Sequence, residues 1–466
     1  MSFLIINIKI NFVILLIKKD AMKTITVVFV FFLIITANSL LYSQDKDDFK
    51  PSYTLGGVVF SGWHFNIDNA DFISKLDTSA AGIDNNSAYG YKPTANQFEV
   101  SKNTFYIDRA YLDLKAVLSP QIKARLTPDF YSFTDGSGKT QYAYQIKFAY
   151  AEYTPLTTEN GTSLSFTLGV SPNQWAPNID KYWGYRFVAR TLTDYPWVSA
   201  AVKSGNTVTK TTSTYFSTAD LGLTAKFTLP DKYADLYVAV VNGNGFRNLN
   251  FDNRFKDVQV TAYIYPLSKY LTKKTEKYKK AGKLRLDGIS DLTLGGFYYL
   301  GKLDKGENYA GAQYQRNRFG GMLSAKYNFK KAGFVKLGGE FSVQKNEDPS
   351  TLTSYTSITT DARGVSAFME FNPPVESLKE KLSFIARYDV FDPNTTDDAM
   401  SSSKGFNNRN DQQTLLILGS FYRPSKVLGF GLSYQITKFD GDFIVKYDGT
   451  TSNSLSRLFF NTVLEF

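Results

Sequence analysis

Between Val427 and Lys438 the sequence VLGFGLSYQITK alternates without an exception. Leu428, Phe430, Leu432, Tyr434 and Ile436 fall on one face and Gly429, Gly431, Ser433, Gln435 and Thr437 on the other, the two-residue period of a strand with one apolar face. The last segment repeats it, with Leu458, Phe460, Thr462, Leu464 and Phe466 opposed by Phe459, Asn461, Val463 and Glu465. Two earlier stretches put charges of both signs on the second face. In Asp108 to Leu118 the apolar set is Ala110, Leu112, Leu114, Ala116 and Leu118, against Arg109, Tyr111, Asp113, Lys115 and Val117. In Ile122 to Phe130 it is Ile122, Ala124, Leu126, Pro128 and Phe130, against Lys123, Arg125, Thr127 and Asp129. Alternation alone also fits a soluble sandwich whose polar face meets solvent.

Punctuation separates the two. Sixteen strands are read, at roughly 52–67, 103–118, 120–133, 142–154, 162–174, 215–229, 233–246, 255–266, 288–301, 314–329, 334–345, 362–372, 381–392, 411–423, 427–439 and 454–466. Many reach the ~9–11 residues that cross a bilayer at a tilt. Connections then alternate in length. Short ones include Ser119-Pro120, Pro230-Asp231-Lys232 and Pro424-Ser425-Lys426; long ones span 68–102, 175–214, 346–361, 393–410 and 440–453. With both ends of the barrel inside, the short connections fall on the periplasmic face and the long ones outside. The expected fold is all-β, a transmembrane antiparallel β-barrel of about 16 strands. The exceptions are 267–286, a long inner turn, and 134–141, short for an outer loop. Closure pairs the last strand with the first and leaves no backbone edge unpaired in hydrocarbon, so the chain can stop on an outward Phe466.

Composition narrows the function. Aromatics make up 16%, and no apolar run after residue 43 has the ~20 residues of a spanning helix. With no cysteine, thiolate metal sites and disulfides are excluded; the single histidine, His64, would have to carry any His-based metal site or Ser/His/Asp triad. No enzyme activity, metal or cofactor is expected, and a barrel lipase is the rival that His64 would have to serve. The formal charge of +10 is uneven. Residues 1–43 hold +3 (Lys9, Lys18, Lys19 and Lys23 against Asp20), and 267–286 hold +7 (seven lysines and Arg285 against Glu276). The remainder is neutral, which gives no footprint for nucleic acid. Met22-Lys23-Thr24, the apolar Ile25 to Ile35 and Leu41-Tyr42-Ser43 read as a signal peptide cleaved near Ser43/Gln44, with 1–21 an upstream extension and 44–466 the barrel. The alternative is one uncleaved signal anchor.

The terminal run Leu458-Phe459-Phe460-Asn461-Thr462-Val463-Leu464-Glu465-Phe466 is similar to the signal that barrel assembly machinery recognises, through outward Leu458, Phe460, Leu464 and Phe466. Phe105 to Leu112, Lys147 to Tyr153 and Tyr182 to Phe187 resemble the phosphate-selective porin O and P family. That resemblance implies an outer-membrane location in contact with lipid, a homotrimer, a loop folded into each pore, and anion or phosphate preference.

The third outer connection, 175–214, is the longest and holds Trp175, Trp183 and Trp197 with Tyr182, Tyr185, Phe187 and Tyr195. That much apolar surface should pack on the inner wall. Its Lys181, Arg186, Arg190 and Asp194 would then face Arg109, Lys123, Arg125 and Asp129, either setting a transverse field across an aqueous constriction or pairing to hold the loop in place. Asp389, Asp392 and Asn394 read as a turn with solvated carboxylates rather than a calcium loop, and Gly243-Asn244-Gly245 as no phosphate loop, since no helix follows. The lysine-rich 267–286 turn reads as a solvated charge run, with lipid phosphate, peptidoglycan or a protein partner as alternatives. The expected function is passive diffusion of small hydrophilic solutes. The alternative is a barrel plugged by 175–214, serving adhesion or the cell envelope.

Overall fold

The computed structural model describes residues 49–68, 72–75, 102–134, 140–195, 197–198, 202–204, 207–209, 212–213, 216–247, 255–280, 285–304, 313–349, 357–378, 380–392, 395, 412–440, 443–447 and 450–466. The expected signal peptide lies outside them. Sixteen strands form the barrel: β1 (Ser52–Asn66), β2 (Asn103–Val117), β3 (Ile122–Thr134), β4 (Thr140–Thr157), β5 (Ser163–Pro172), β6 (Ala219–Thr228), β7 (Ala234–Val241) and β8 (Asp257–Ile264) in the first half, then β9 (Gly288–Leu300), β10 (Gln313–Asn328), β11 (Phe334–Pro349), β12 (Ser357–Asn372), β13 (Leu382–Asp392), β14 (Gln413–Tyr422), β15 (Leu428–Phe439) and β16 (Ser454–Glu465). Each pairs antiparallel with its chain neighbours, and β16 returns to β1 from Val58↔Glu465 to Asn66↔Arg457. The seam ends where Phe466 and Gly57 exchange two backbone hydrogen bonds of 2.8 and 3.0 Å. A Cβ at Gly57 would stand 2.4 Å from the Phe466 ring, so glycine makes room for the closing aromatic.

The outer face is apolar and bare. Leu114, Leu168, Leu323, Leu337, Phe341, Val365, Leu432, Phe460 and Leu464 all stand exposed there. The inner face carries buried Thr127, Gln259, Ser324, Gln344, Ser366 and Gln435. Polar inside and apolar outside is the reverse of a soluble barrel and suits hydrocarbon around the wall.

Two bulges re-aim side chains that matter below. Between β1 and β2, Phe60↔Arg109 is followed by Ser61↔Ile107, so Asp108 is the extra residue. The register flips there: Phe105 and Ile107 point outward before it and Leu112 and Leu114 after it. Between β3 and β4 the break falls at Thr127/Pro128. Proline has no N–H to give the ladder, and the extra residue opposite it is Lys147, buried to 6% exposure.

The 267–286 turn contains a helix, α2 (Ser268–Lys280); α1 (Ala176–Trp183) lies in the third loop. No helix among the described residues is long and apolar enough to cross a membrane.

Candidate functional site: the filled lumen

The third loop folds into the barrel. Pro177 sits in the first turn of α1 and Gly184 ends it in the left-handed region at φ 80°, where glycine carries no Cβ penalty. Trp175, Ile179, Trp183, Leu192 and Trp197 are all within 1% of complete burial. Their neighbours on the wall are inward apolar residues of β8, β9 and β12 to β14. Trp175 stacks on Tyr263 and packs on Phe297, Trp183 meets Phe368 edge-on, Trp197 stacks on Phe391, and Phe187 packs on Phe421. This explains why Leu415, Ile417 and Phe421 of β14 break the polar-inside pattern. A buried Trp contributes ~3–5 kcal/mol in such surroundings.

Polar anchors then fix the loop in register. The Glu340 carboxyl accepts the Leu192 N–H at 2.9 Å and the Trp175 indole N–H at 3.3 Å. Glu370 accepts the Tyr185 hydroxyl at 2.5 Å, and Arg387 donates to the Arg190 carbonyl at 2.6 Å. Gln435 and Asn461 donate to the carbonyls of Val188 and Phe187. Arg387 is held in turn by Asp389, at 2.9 and 2.5 Å. Asp389 is 0% exposed, and this corrects the expectation of a solvated turn: it lies mid-strand on β13, facing inward, where burial demands the guanidinium partner. Asn394 lies outside the described residues.

The opposite face of the loop carries the expected charges. Arg186 donates to Asp180 and, at 2.5 Å, to Asp194, so its two acids belong to the loop itself. Burial opposes the Arg186 charge, but Asp180 and Asp194 outweigh it and hold the guanidinium well above its ordinary range. The two acids sharing one cation separate. For Asp194, burial is outweighed by Arg186, Arg190 and Arg109 and the pKa falls; for Asp180, burial and then the Asp194 charge prevail over Arg186 and the pKa rises. Burial and Arg109 lower the pKa of Arg190.

Facing them is the wall of β2 to β4. Arg109 lies 3.8 Å from Asp129 and donates to the Tyr111 hydroxyl at 3.1 Å, which Lys147 also reaches at 2.8 Å. Arg125 forms a two-pronged pair with Asp113 at 2.6 and 3.0 Å. Thus the structure brings Arg109, Asp129, Arg186, Arg190 and Asp194 close enough to act on one another's charge. Among the described residues no ion pair bridges loop and wall; the Arg109 charge acts on Asp194 and Arg190 through space. Lys123 stands apart, paired with Glu152 at 3.5 Å and largely exposed. Lys181 is also exposed and donates to the Asn178 side-chain oxygen at 2.7 Å. Sequence reasoning missed Asp180, Tyr111 and Lys147; the strand-interior Pro128, which requires a bulge opposite it, was the signal for Lys147.

The two faces meet closely. Arg109, Asp129, Lys147 and Asp194 retain 5, 0, 6 and 5% exposure. Toward the long-loop rim, a cavity of about 200 Å³ lies between Asn173, Asp220, Asn244, Arg316 and Arg318. There Gly243 and Gly245, at φ 84° and 74°, aim their N–H groups at Asp220 at 3.0 and 3.1 Å. The glycine pair does cradle an anion, one the chain supplies itself. His64 is a wall residue between the rings of Tyr106 and Phe459.

No family model matches the chain, and no curated protein matches it. Among solved structures it is similar to an anion-selective porin from Comamonas acidovorans (12% identity, TM-score 0.48, 90% of this chain and 100% of that one). It is also similar to Pseudomonas putida OprB (10%, TM-score 0.49, 89% and 94%) and Salmonella typhi OmpF (10%, TM-score 0.47, 89% and 97%). At these values the likeness carries no argument about solute or assembly.

Proposed function

We propose that this chain is an outer-membrane channel of the porin type, exported by its amino-terminal segment, through which small hydrophilic solutes diffuse. The observation that carries this reading is the closed barrel with a bare apolar exterior and a charged loop face set against a charged wall inside it. Arg109, Arg125, Lys147, Arg186 and Arg190 face Asp113, Asp129, Asp180 and Asp194 there, one cation in excess. Fixed charges of both signs lining a narrow lumen select ions by their local field. Anion preference, phosphate preference and a trimer belong to the same proposal, as do assembly through Leu458, Phe460, Leu464 and Phe466 and contact with outer-membrane lipid.

A second reading is a plugged barrel, whose outer loops serve adhesion or the envelope. It is favoured by the near-zero exposure of the constriction and by the number of bonds pinning the loop. Single-channel recording of the refolded protein in a planar bilayer, with a salt gradient and with phosphate competing against chloride, separates the two. Stepwise ohmic openings in groups of three, with anion preference, support the channel. A folded barrel that never conducts refutes it and leaves the plug.

A further inference from the structure

One turn at the short-turn rim differs from the others by carrying α2. The helix is bound back against the barrel. Its Ser268 hydroxyl donates to the Asp231 carbonyl at 2.9 Å and Lys269 pairs with Asp231 at 3.0 Å, on the neighbouring turn. Further along, Tyr278 donates to Asp287 and Lys274 donates to the Asp287 carbonyl at 2.5 Å, just before β9 begins. Leu271, Lys274, Thr275 and Tyr278 form the half-buried side. The other side, by helical spacing, is Lys269, Lys273, Glu276, Lys277 and Lys280, with the 57% exposed Tyr270 at its edge. Among the described residues Lys273, Lys277, Lys279 and Lys280 pair with no acid.

We propose that this face binds the anionic phospholipid headgroups of the adjoining leaflet, phosphatidylglycerol-like in chemistry. The proposal rests on the reading of the barrel as membrane-spanning. Position argues for lipid over a distant polymer. Ile264, the outward end of β8, lies four residues before Ser268, and the exposed Ile289 lies just past Asp287, so the helix is tethered to the hydrocarbon edge at both ends. A helix is about 10 Å thick, and electrostatic attraction persists for about 8–10 Å at physiological salt. A helix lying along the rim therefore keeps its lysines within reach of the phosphate plane. An amphipathic ring such as Tyr270 is at home at that depth.

The chain has no cysteine, so Thr272→Cys gives a unique site for a nitroxide label on the exposed side. The labelled protein is refolded into phosphatidylcholine vesicles with and without phosphatidylglycerol, and the label's accessibility to a water-soluble nickel chelate is measured. With phosphatidylglycerol, the label should immobilise and lose accessibility at low salt but not at high salt. Neutralising Lys273, Lys277 and Lys280 to Gln should abolish the change, each lysine being worth about fivefold in binding. Equal accessibility in both vesicles overturns the proposal and leaves a solvated helix. Protection by peptidoglycan fragments without lipid dependence overturns it in favour of that polymer. Heat-modifiable gel mobility in both vesicle types reports barrel insertion separately. If the protein does not insert, the barrel reading fails and this one with it.

Discussion

The lumen has two walls whose sequences alternate alike and whose polar residues do different work. On β11 to β15, Glu340, Glu370, Arg387 and Gln435 bond directly to the third loop, among apolar neighbours such as Ile385, Leu415 and Ile417. On β2 to β4, Arg109, Lys147 and Asp129 confront the same loop and bond only within their own wall. An inward polar group is an anchor where the surrounding inward positions are apolar, because the loop can bury itself there. Where the neighbours are polar, it confronts the loop without bonding to it.

The comparison can be broken from the anchored side first. Trp183→Ala should cost about 3–5 kcal/mol of loop packing, seen as a lower melting temperature and loss of near-ultraviolet dichroism while strand content is kept. Unchanged melting would mean that the loop is not packed as described. Glu340→Ala leaves the Leu192 and Trp175 donors buried without an acceptor, at about 1–3 kcal/mol each. Conductance should rise several-fold and become noisy as the loop loosens; wild-type conductance would show that apolar packing alone holds it.

The confronting side should respond in selectivity rather than stability. Arg186→Gln removes one cation shared by Asp180 and Asp194, and the zero-current potential in a salt gradient should move toward cations. No movement would place the ion path elsewhere. Acidification should do the opposite. With its pKa raised by burial, the Asp180 carboxyl takes up a proton above the ordinary range of ~3.9, so anion preference should grow as pH falls through that raised pKa. The sign for stability follows. A carboxyl with a raised folded pKa favours the fold at low pH and loses that contribution as pH rises through it. Asp180→Asn should abolish the selectivity step. The smallest effect is expected from Lys123→Gln, an exposed pair worth about 0.2–1 kcal/mol, with selectivity unchanged; a shift as large as that of Arg186→Gln would erase the distinction between the clustered and outlying wall charges.

Much of the barrel was legible because a two-residue period over strand after strand leaves few other folds. All sixteen strands lie near their expected positions, with β11 and β12 running further toward the long-loop rim, to Pro349 and from Ser357. The tryptophan-rich loop was legible as an inward one from its apolar load. The partners within the lumen were not. Whether Arg186 reaches a wall acid or Asp180, two turns of local structure away, depends on where α1 begins and on the bulges at Asp108 and Lys147. Asp389 was misread because its neighbours Asp392 and Asn394 suggested a turn, while its inward register on β13 decided its surroundings.

The seam between β1 and β16 joins Ser61 to Thr462 through a hydrogen bond between residues 401 apart in sequence. Contacts that distant are slow to find, because the intervening chain must be ordered before they reward it. Until they form, the growing sheet has two unpaired edges, each able to pair with the wrong strand. The time spent half-built, more than the stability of the finished wall, is therefore where this molecule is most exposed to misassembly.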